Sequence, residues 1–137
     1  MFPLTKNYFL VFIILLLTAL IEAGTVRIMT YNLLNFEDEN DRENDFRSII
    51  SLIEPDLIIV QEVSGQEGFS NFKSDVLDLI EPNSWTGANF INQTASQDIA
   101  LYYRNDLFTF ISTSEINTAQ TAGTRDVIEW RIIHNTS

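Results

Sequence analysis

The sequence predicts an α/β domain, and three observations carry that expectation. The segment VRIMTYN, Val26 to Asn32, alternates as a strand does. The segment PDLIIVQE, Pro55 to Glu62, contains the continuous apolar run of a central parallel strand. Between them Phe46, Ile49, Ile50 and Ile53 recur at helical spacing. A strand, a helix and a strand of this length form a right-handed βαβ unit, so the two strands are expected to run parallel. Parallel strands end on the same sheet edge, and open α/β sheets bind ligands outside that edge. Asn32 and Glu62 end the two strands. They are therefore expected to face one crevice, where an amide beside a carboxylate suits a hard divalent cation and a phosphate.

The elements follow in order. Tyr8 to Ile21 is an apolar run, preceded by Lys6 and followed by Glu22, Ala23 and Gly24. It is shorter than the roughly 20 apolar residues of a membrane span. A positive start, a short apolar core and small residues after it describe a secretory signal peptide, residues 1–23. The competing reading is an uncleaved anchor. The signal peptide implies a secreted or periplasmic protein with no stable membrane partner after cleavage. The domain then occupies 24–137, and a chain of 137 residues allows only one.

Val26, Ile28 and Thr30 lie on one side of the first strand, with Arg27, Met29 and Tyr31 on the other. The helix is expected over Asp41 to Ile53 and stops at Glu54-Pro55, because the residue before proline avoids the helical region. A second helix is expected over Phe69 to Ile80, ended by Glu81-Pro82-Asn83. Ser84 to Phe90 suits a short strand. Ile99 to Tyr103 and Phe108 to Ser112 suit two strands joined at Arg104-Asn105-Asp106. Ser114 to Thr124 reads as a small-polar linker, and Val127 to Ile133 as a last strand. This order, βαβα and then several strands, predicts an α/β fold with mixed sheets.

The chain has no cysteine, so it has neither a disulfide nor a thiolate metal site. Its formal net charge is −11, concentrated in EDENDREND, Glu37 to Asp45. That stretch reads as a solvated loop and first helical turn whose acids complement the helix dipole. A chain that grips nucleic acid by bulk electrostatics is basic, so the balance counts against tight, salt-sensitive DNA binding. It leaves room for hydrolysis of a single phosphodiester by a bound cation and a few local arginines. Asn92-Gln93-Thr94 and Asn135-Thr136-Ser137 fit the glycosylation pattern, which matters only in a eukaryotic secretory route.

TYNLLNF (Thr30 to Phe36), PDLIIVQEV (Pro55 to Val63), DIALYYRNDLF (Asp98 to Phe108) and RDVIEWRI (Arg125 to Ile132) together resemble the first half of an endonuclease/exonuclease/phosphatase domain. That superfamily includes pancreatic-type deoxyribonucleases, abasic-site endonucleases, neutral sphingomyelinases and inositol-polyphosphate phosphatases. The resemblance implies a four-layer αββα sandwich, here its incomplete amino-terminal half. It implies a divalent-metal-dependent phosphodiester hydrolase using Mg2+, with Mn2+ or Ca2+ as alternatives. Its substrate would be nucleic acid or another phosphodiester. Within the superfamily, a nuclease stands first and a sphingomyelinase-like enzyme or phosphatase second. A non-catalytic secreted module keeping the fold is the reading from another class.

By that resemblance Glu62 is the metal-ligand glutamate, with Gln61 flanking it. On its residues alone, Glu62 could equally be a solvated residue beginning a loop. Asn32 matches an asparagine that contacts the scissile phosphate or the metal's water shell, and its plainer reading is a strand-ending turn residue. Arg125 matches an arginine near the phosphate, which it can clamp bidentately. Its alternative is a surface ion pair with Asp126. Tyr103 and Arg104 match a strand bordering the substrate groove, against core packing for one and a solvated turn for the other. Tyr102 reads as core, Asn35 as structural, and His134, the only histidine, as a surface residue rather than a base. Leu34 stands where abasic-site enzymes carry an aspartate, which makes that subgroup a poorer match. The later histidine, aspartate-x-asparagine and aspartate-histidine motifs are not in this sequence. It is therefore expected to be part of a longer enzyme or a truncated product, without turnover on its own.

Overall fold

The computed structural model describes residues 24–36, 41–93, 97–118 and 126–135. The acidic stretch at 37–40, the proposed signal segment, Arg125 and the two Thr/Ser-containing glycosylation patterns lie wholly or partly outside those residues.

Strand β1, Ile28–Phe36, leads through helix α1, Glu43–Ile53, into strand β2, Leu57–Val63. The two strands pair in parallel, Ile28 with Leu57 through Asn32 with Gln61. The βαβ unit is therefore present as the sequence predicts. α1 begins two residues later than expected, after Arg42, whose backbone carbonyl accepts from Asp45 and Phe46. It ends where Glu54 turns left-handed, φ 51°, and returns its N–H to the Ile50 carbonyl at 2.8 Å.

Helix α2 starts at Gly65, four residues before the expected Phe69. It runs Gly65–Asn71, a π-helical stretch Phe72–Leu77, and a last turn Asp78–Ile80. The π stretch widens the turn so that residues five apart become neighbours. Lys73 Nζ thus meets Asp78 Oδ2 at 2.6 Å, and Phe72, Val76 and Leu77 are all fully buried. Periodicity at 3.6 residues does not encode such a turn.

Strand β3, Trp85–Gly87, and strand β4, Asp98–Arg104, complete a four-stranded sheet in the order β1-β2-β4-β3. β4 runs antiparallel to both neighbours. Strand β5, Phe108–Ile116, and strand β6, Val127–His134, form a second, two-stranded antiparallel sheet. β4 and β5 are not a hairpin. The turn at Arg104 to Leu107 carries the chain from one sheet to the other. β5 also runs to Ile116, through the first part of the stretch expected to be a linker.

Two cores lie on the two faces of the larger sheet. Met29, Leu33, Ile58, Val60, Ala100 and Tyr102 face the helices and pack with Phe46, Ile50, Phe72 and Val76. Leu57, Leu101 and Tyr103 face the other way, with Phe108, Phe110, Trp130 and Ile132 of the second sheet. Helices, sheet and second sheet are three successive layers in the expected αββα order.

Aromatic rings dominate the helix-side core. Phe36, Phe46 and Phe72 meet edge to face at 5.3–6.0 Å, an arrangement that adds to their area burial. Tyr102 is buried there too, as expected. Burial pushes its phenol well above the ordinary value, so it stays protonated and donates to the Phe69 carbonyl at 2.7 Å. Phe69 is stacked between Phe90 and Tyr102, at 4.8 and 5.2 Å. Gly87 lies against it so closely that an added Cβ would stand 2.3 Å from the Phe69 ring. A ring held on both faces cannot yield, which requires glycine at that position.

Candidate active site at the carboxyl edge of the sheet

β1 and β2 keep perfect register until Asn32 and Gln61, and both then break it. In β1, Leu34 and Asn35 take φ of 49° and 54°; in β2, Glu62 takes 60°. The next paired residues are Phe36 and Val63, so Glu62 is the bulged residue of β2. On its other side β4 also skips it, pairing Val63 with Asp98. The alternation explains the need. Ile58 and Val60 face the helix-side core, and a regular strand would put position 62 there too. The bulge instead sends Val63 into that core and leaves the Glu62 carboxylate at the rim. A non-glycine residue in this conformation costs on the order of 1–3 kcal/mol and persists where the surroundings over-determine it.

The structure brings Asn32 and Glu62 together. Asn32 Nδ2 donates to Glu62 Oε1 at 2.9 Å. Asn32 Oδ1 accepts from the Leu34 backbone N–H at 2.8 Å, the Asx-turn bond that leads the chain into its left-handed residues. Thus the turn role and the site role of Asn32 coexist. Gln61 faces the second sheet, with its amide 3.5 Å from Thr30 Oγ1.

Further residues brace this edge, among them Asn35, which the sequence marked as structural. Arg42 donates from Nη1 and Nη2 to the carbonyls of Leu33 and Leu34, both at 2.8 Å. It holds the bulged end of β1 by the acceptors that irregular backbone leaves open. Asn35 Oδ1 accepts from Gln97 Nε2, joining the end of β1 to the start of β4 across β2. Asp98 is 1% exposed, and its Oδ1 accepts the Gln93 backbone N–H at 2.9 Å. The Gln93 side chain donates to the Asp126 carbonyl, also at 2.9 Å. This chain of bonds ties the start of β6 to the same edge. Arg125 lies outside the described residues, but its neighbour Asp126 is anchored there. The Asp126 carboxylate takes the Thr118 N–H at 2.6 Å and its hydroxyl at 3.1 Å. An antiparallel pairing of β4 with β2 could have found Asp98 as a strand-starting acid opposite Val63, but not Arg42, which acts on backbone.

Tyr103 and Arg104 are not brought to this site. β4 runs antiparallel, so its end lies beside the start of β2; Tyr103 pairs with Leu57. Tyr103 packs in the core between the sheets, where burial raises its phenol above the ordinary value. Arg104 makes a two-pronged ion pair with Glu81, at 2.6 and 2.7 Å. Those hydrogen bonds hold Glu81 below, and Arg104 above, the usual range. Both residues are thus moved from the candidate phosphate site to the opposite edge. His134 is there as well. It is half-buried rather than on the surface, pairs with Phe108, and lies tilted against that ring at 5.4 Å.

Among the described residues no three histidine, cysteine or acidic side chains converge on a metal position. Glu62 is a single carboxylate beside an amide. That donor set fits magnesium, which is commonly held by one or two carboxylates, substrate phosphate oxygens and waters.

This architecture is the endonuclease/exonuclease/phosphatase fold. The structure of D. rerio TDP2 complexed with a single-strand DNA product superposes with a TM-score of 0.62 at 16% identity, over 80% of this chain and 41% of that one. A humanized D. rerio TDP2 gives 0.60 at 16% identity, over 80% and 44%. A mannosyl-6-phosphatase from Bacteroides thetaiotaomicron is a more distant likeness, at 15% identity and a TM-score of 0.49 over 67% and 36%. The chain spans less than half the length of these structures. No protein-family model matches it. No curated protein matches it.

Proposed function

We propose that this chain carries the metal-binding half of an exported, divalent-metal-dependent phosphodiesterase that acts on nucleic acid. The observation that carries the reading is the Asn32–Glu62 contact at 2.9 Å on a bulged, strained carboxyl edge. The fold's solved neighbours are hydrolytic nucleases and phosphatases, and the TDP2 structure with a DNA product favours nucleic acid over other phosphodiesters. Export rests on Lys6 and the apolar run Tyr8 to Ile21.

Glu62 would hold Mg2+, which polarises a phosphoryl oxygen and steadies the charge that develops on it. Asn32 orients that carboxylate with one N–H of its amide and offers the other to a phosphate oxygen. Its own carbonyl is held by the Leu34 N–H, so the amide does not flip. Arg42 fixes the backbone on which both groups depend. Arg125, next to the anchored Asp126, is the candidate phosphate clamp. The groups that activate water are assigned to sequence that would complete the sandwich.

The test is plasmid cleavage, with and without a chelator, by this chain and by a form extended to the length of its structural neighbours. Chelator-sensitive nicking by the extended form, lost in Glu62→Ala and kept in His134→Ala, is expected. Equal nicking with Glu62→Ala would sink the site. Robust cleavage by the 137-residue chain would overturn the view that it is half of an active unit.

A further inference from the structure

The second sheet has two strands, so among the described residues β6 is paired along one edge, to β5. The other edge of such a strand presents N–H and C=O groups that template pairing with another chain. Proteins guard open edges with proline, lysine, bulges or very short strands. β6 has none of these. It is 8 residues long and reads VIEWRIIH, and the irregularity of this sheet falls between Phe110 and Ser112 of β5. Gly24 stands beside the His134 ring, at the far end of the strand.

The side chains of β6 alternate. Ile128, Trp130 and Ile132 turn inward, and Trp130 and Ile132 pack against the core between the sheets. Val127, Glu129, Arg131 and Ile133 are exposed on the other face. Val127 and Ile133 are each 54% exposed, although both are apolar. Arg131 Nη2 stands 3.7 Å from Glu129 Oε1, an exposed pair that adds little stability within one chain.

Set antiparallel to itself about Trp130, this strand matches at every outward position. Glu129 lies opposite Arg131 of a second copy, and Arg131 opposite its Glu129. Val127 lies opposite Ile133 in the same reciprocal way. On the inner face Trp130 meets Trp130, and Ile128 meets Ile132. Residues so opposed have Cβ atoms about 4.5–5.5 Å apart, where opposite charges attract and apolar side chains pack. A slip of two residues sets Glu129 against Glu129, or Arg131 against Arg131, and like charges directly opposite are destabilising. A slip of one residue sets inward side chains against outward ones. One register therefore satisfies both faces.

We propose that the open edge of β6 docks a second copy of this chain, joining two two-stranded sheets into one of four, β5-β6-β6-β5, across a twofold axis at Trp130. The same surface serves both copies, so the contact closes as a dimer. The inference does not depend on the proposed hydrolase activity.

The test compares the parent chain with Glu129→Arg, Arg131→Glu and the double exchange, by sedimentation over a range of concentrations. Both positions are exposed, so circular dichroism should show all four forms equally folded. The parent is expected to form a concentration-dependent dimer. Each single reversal replaces two opposite-charge pairs with two like-charge pairs and should weaken the dimer about tenfold or more. The double exchange restores the complementarity and should bind within about threefold of the parent. A tagged Glu129→Arg chain should also retain untagged Arg131→Glu better than untagged Glu129→Arg. Association through the apolar run Tyr8 to Ile21 would be alike in every form. The proposal is overturned if all forms associate alike or if the double exchange fails to restore the dimer. It is equally overturned if the parent stays monomeric at about 100 µM, which would leave the edge to a strand of a longer form.

Discussion

The two edges of the larger sheet are built from the same strands and use polar residues differently. At the amino edge, charges satisfy one another. Arg104 grips Glu81 with two bonds, Arg27 closes α1, and β1 and β2 pair in register from Ile28 and Leu57. At the carboxyl edge the strands lose register, three non-glycine residues turn left-handed, and the Glu62 carboxylate meets an amide rather than a cation. Paired charge at one end and strained, unneutralised charge at the other mark the second as the place where chemistry is expected. Folding alone does not require a glutamate at φ 60°.

The sharpest way to break this contrast is Glu62→Ala in the length-restored protein. A bound metal supplies several kcal/mol of charge stabilisation. Its loss should therefore lower cleavage by about three orders of magnitude, read as initial nicking rate against magnesium concentration. Arg42→Ala comes next. It leaves the Leu33 and Leu34 carbonyls without their partner, at a cost of about 1–3 kcal/mol, measured by urea denaturation. A loss much smaller than that would mean the bulge holds itself. Glu62→Gly should have the opposite sign. Glycine accepts positive φ without penalty, so the chain should gain about 1 kcal/mol of stability while losing metal-dependent cleavage. A less stable glycine variant would refute the strain.

The smallest effect belongs to the amino edge. Glu81 has its carboxyl held below the ordinary value, chiefly by its hydrogen bonds to Arg104. A depressed carboxyl contributes stability that is full above the unfolded value and fades as pH falls through the folded one. Glu81→Gln should therefore cost less than about 1 kcal/mol at neutral pH, since the Glu81 side chain is 45% exposed and solvent screens the pair. The difference from the parent should shrink below about pH 4.5, the ordinary value for this group. A difference that grows on acidification would contradict the pairing.

Much of the carboxyl edge was legible because the βαβ rule fixes strand direction. Direction alone places Asn32 beside Glu62 once both strands end in polar residues. The bulges were not legible, since nothing in the strings NLLN or VQEV distinguishes a skipped residue from a paired one. Tyr103 and Arg104 were misplaced for a related reason. Matching motif to motif carries no strand direction, and β4 runs antiparallel. The turn after Arg104 looked like a hairpin because its residues suit one. The step from sheet to sheet is decided by the apolar faces of Phe108 and Phe110, which pack against Leu101 and Tyr103. α2 was found by its apolar stripe, and its start was missed because the first turn carries two glycines, Gly65 and Gly68, which are poor helix formers, and no apolar residue of the stripe.

The π turn of α2 bears on how this domain can change length. An extra residue is accommodated inside the helix, with Phe72, Val76 and Leu77 all kept in the core and the slack taken up where Lys73 reaches Asp78. A chain one residue shorter between Phe72 and Leu77 would close an ordinary α-helical turn there. It would rotate the ends of the helix about its axis and leave the strand order untouched. Insertions and deletions in this helix are thus buffered before they reach the sheet, and sequence alignments across it are expected to need a one-residue gap.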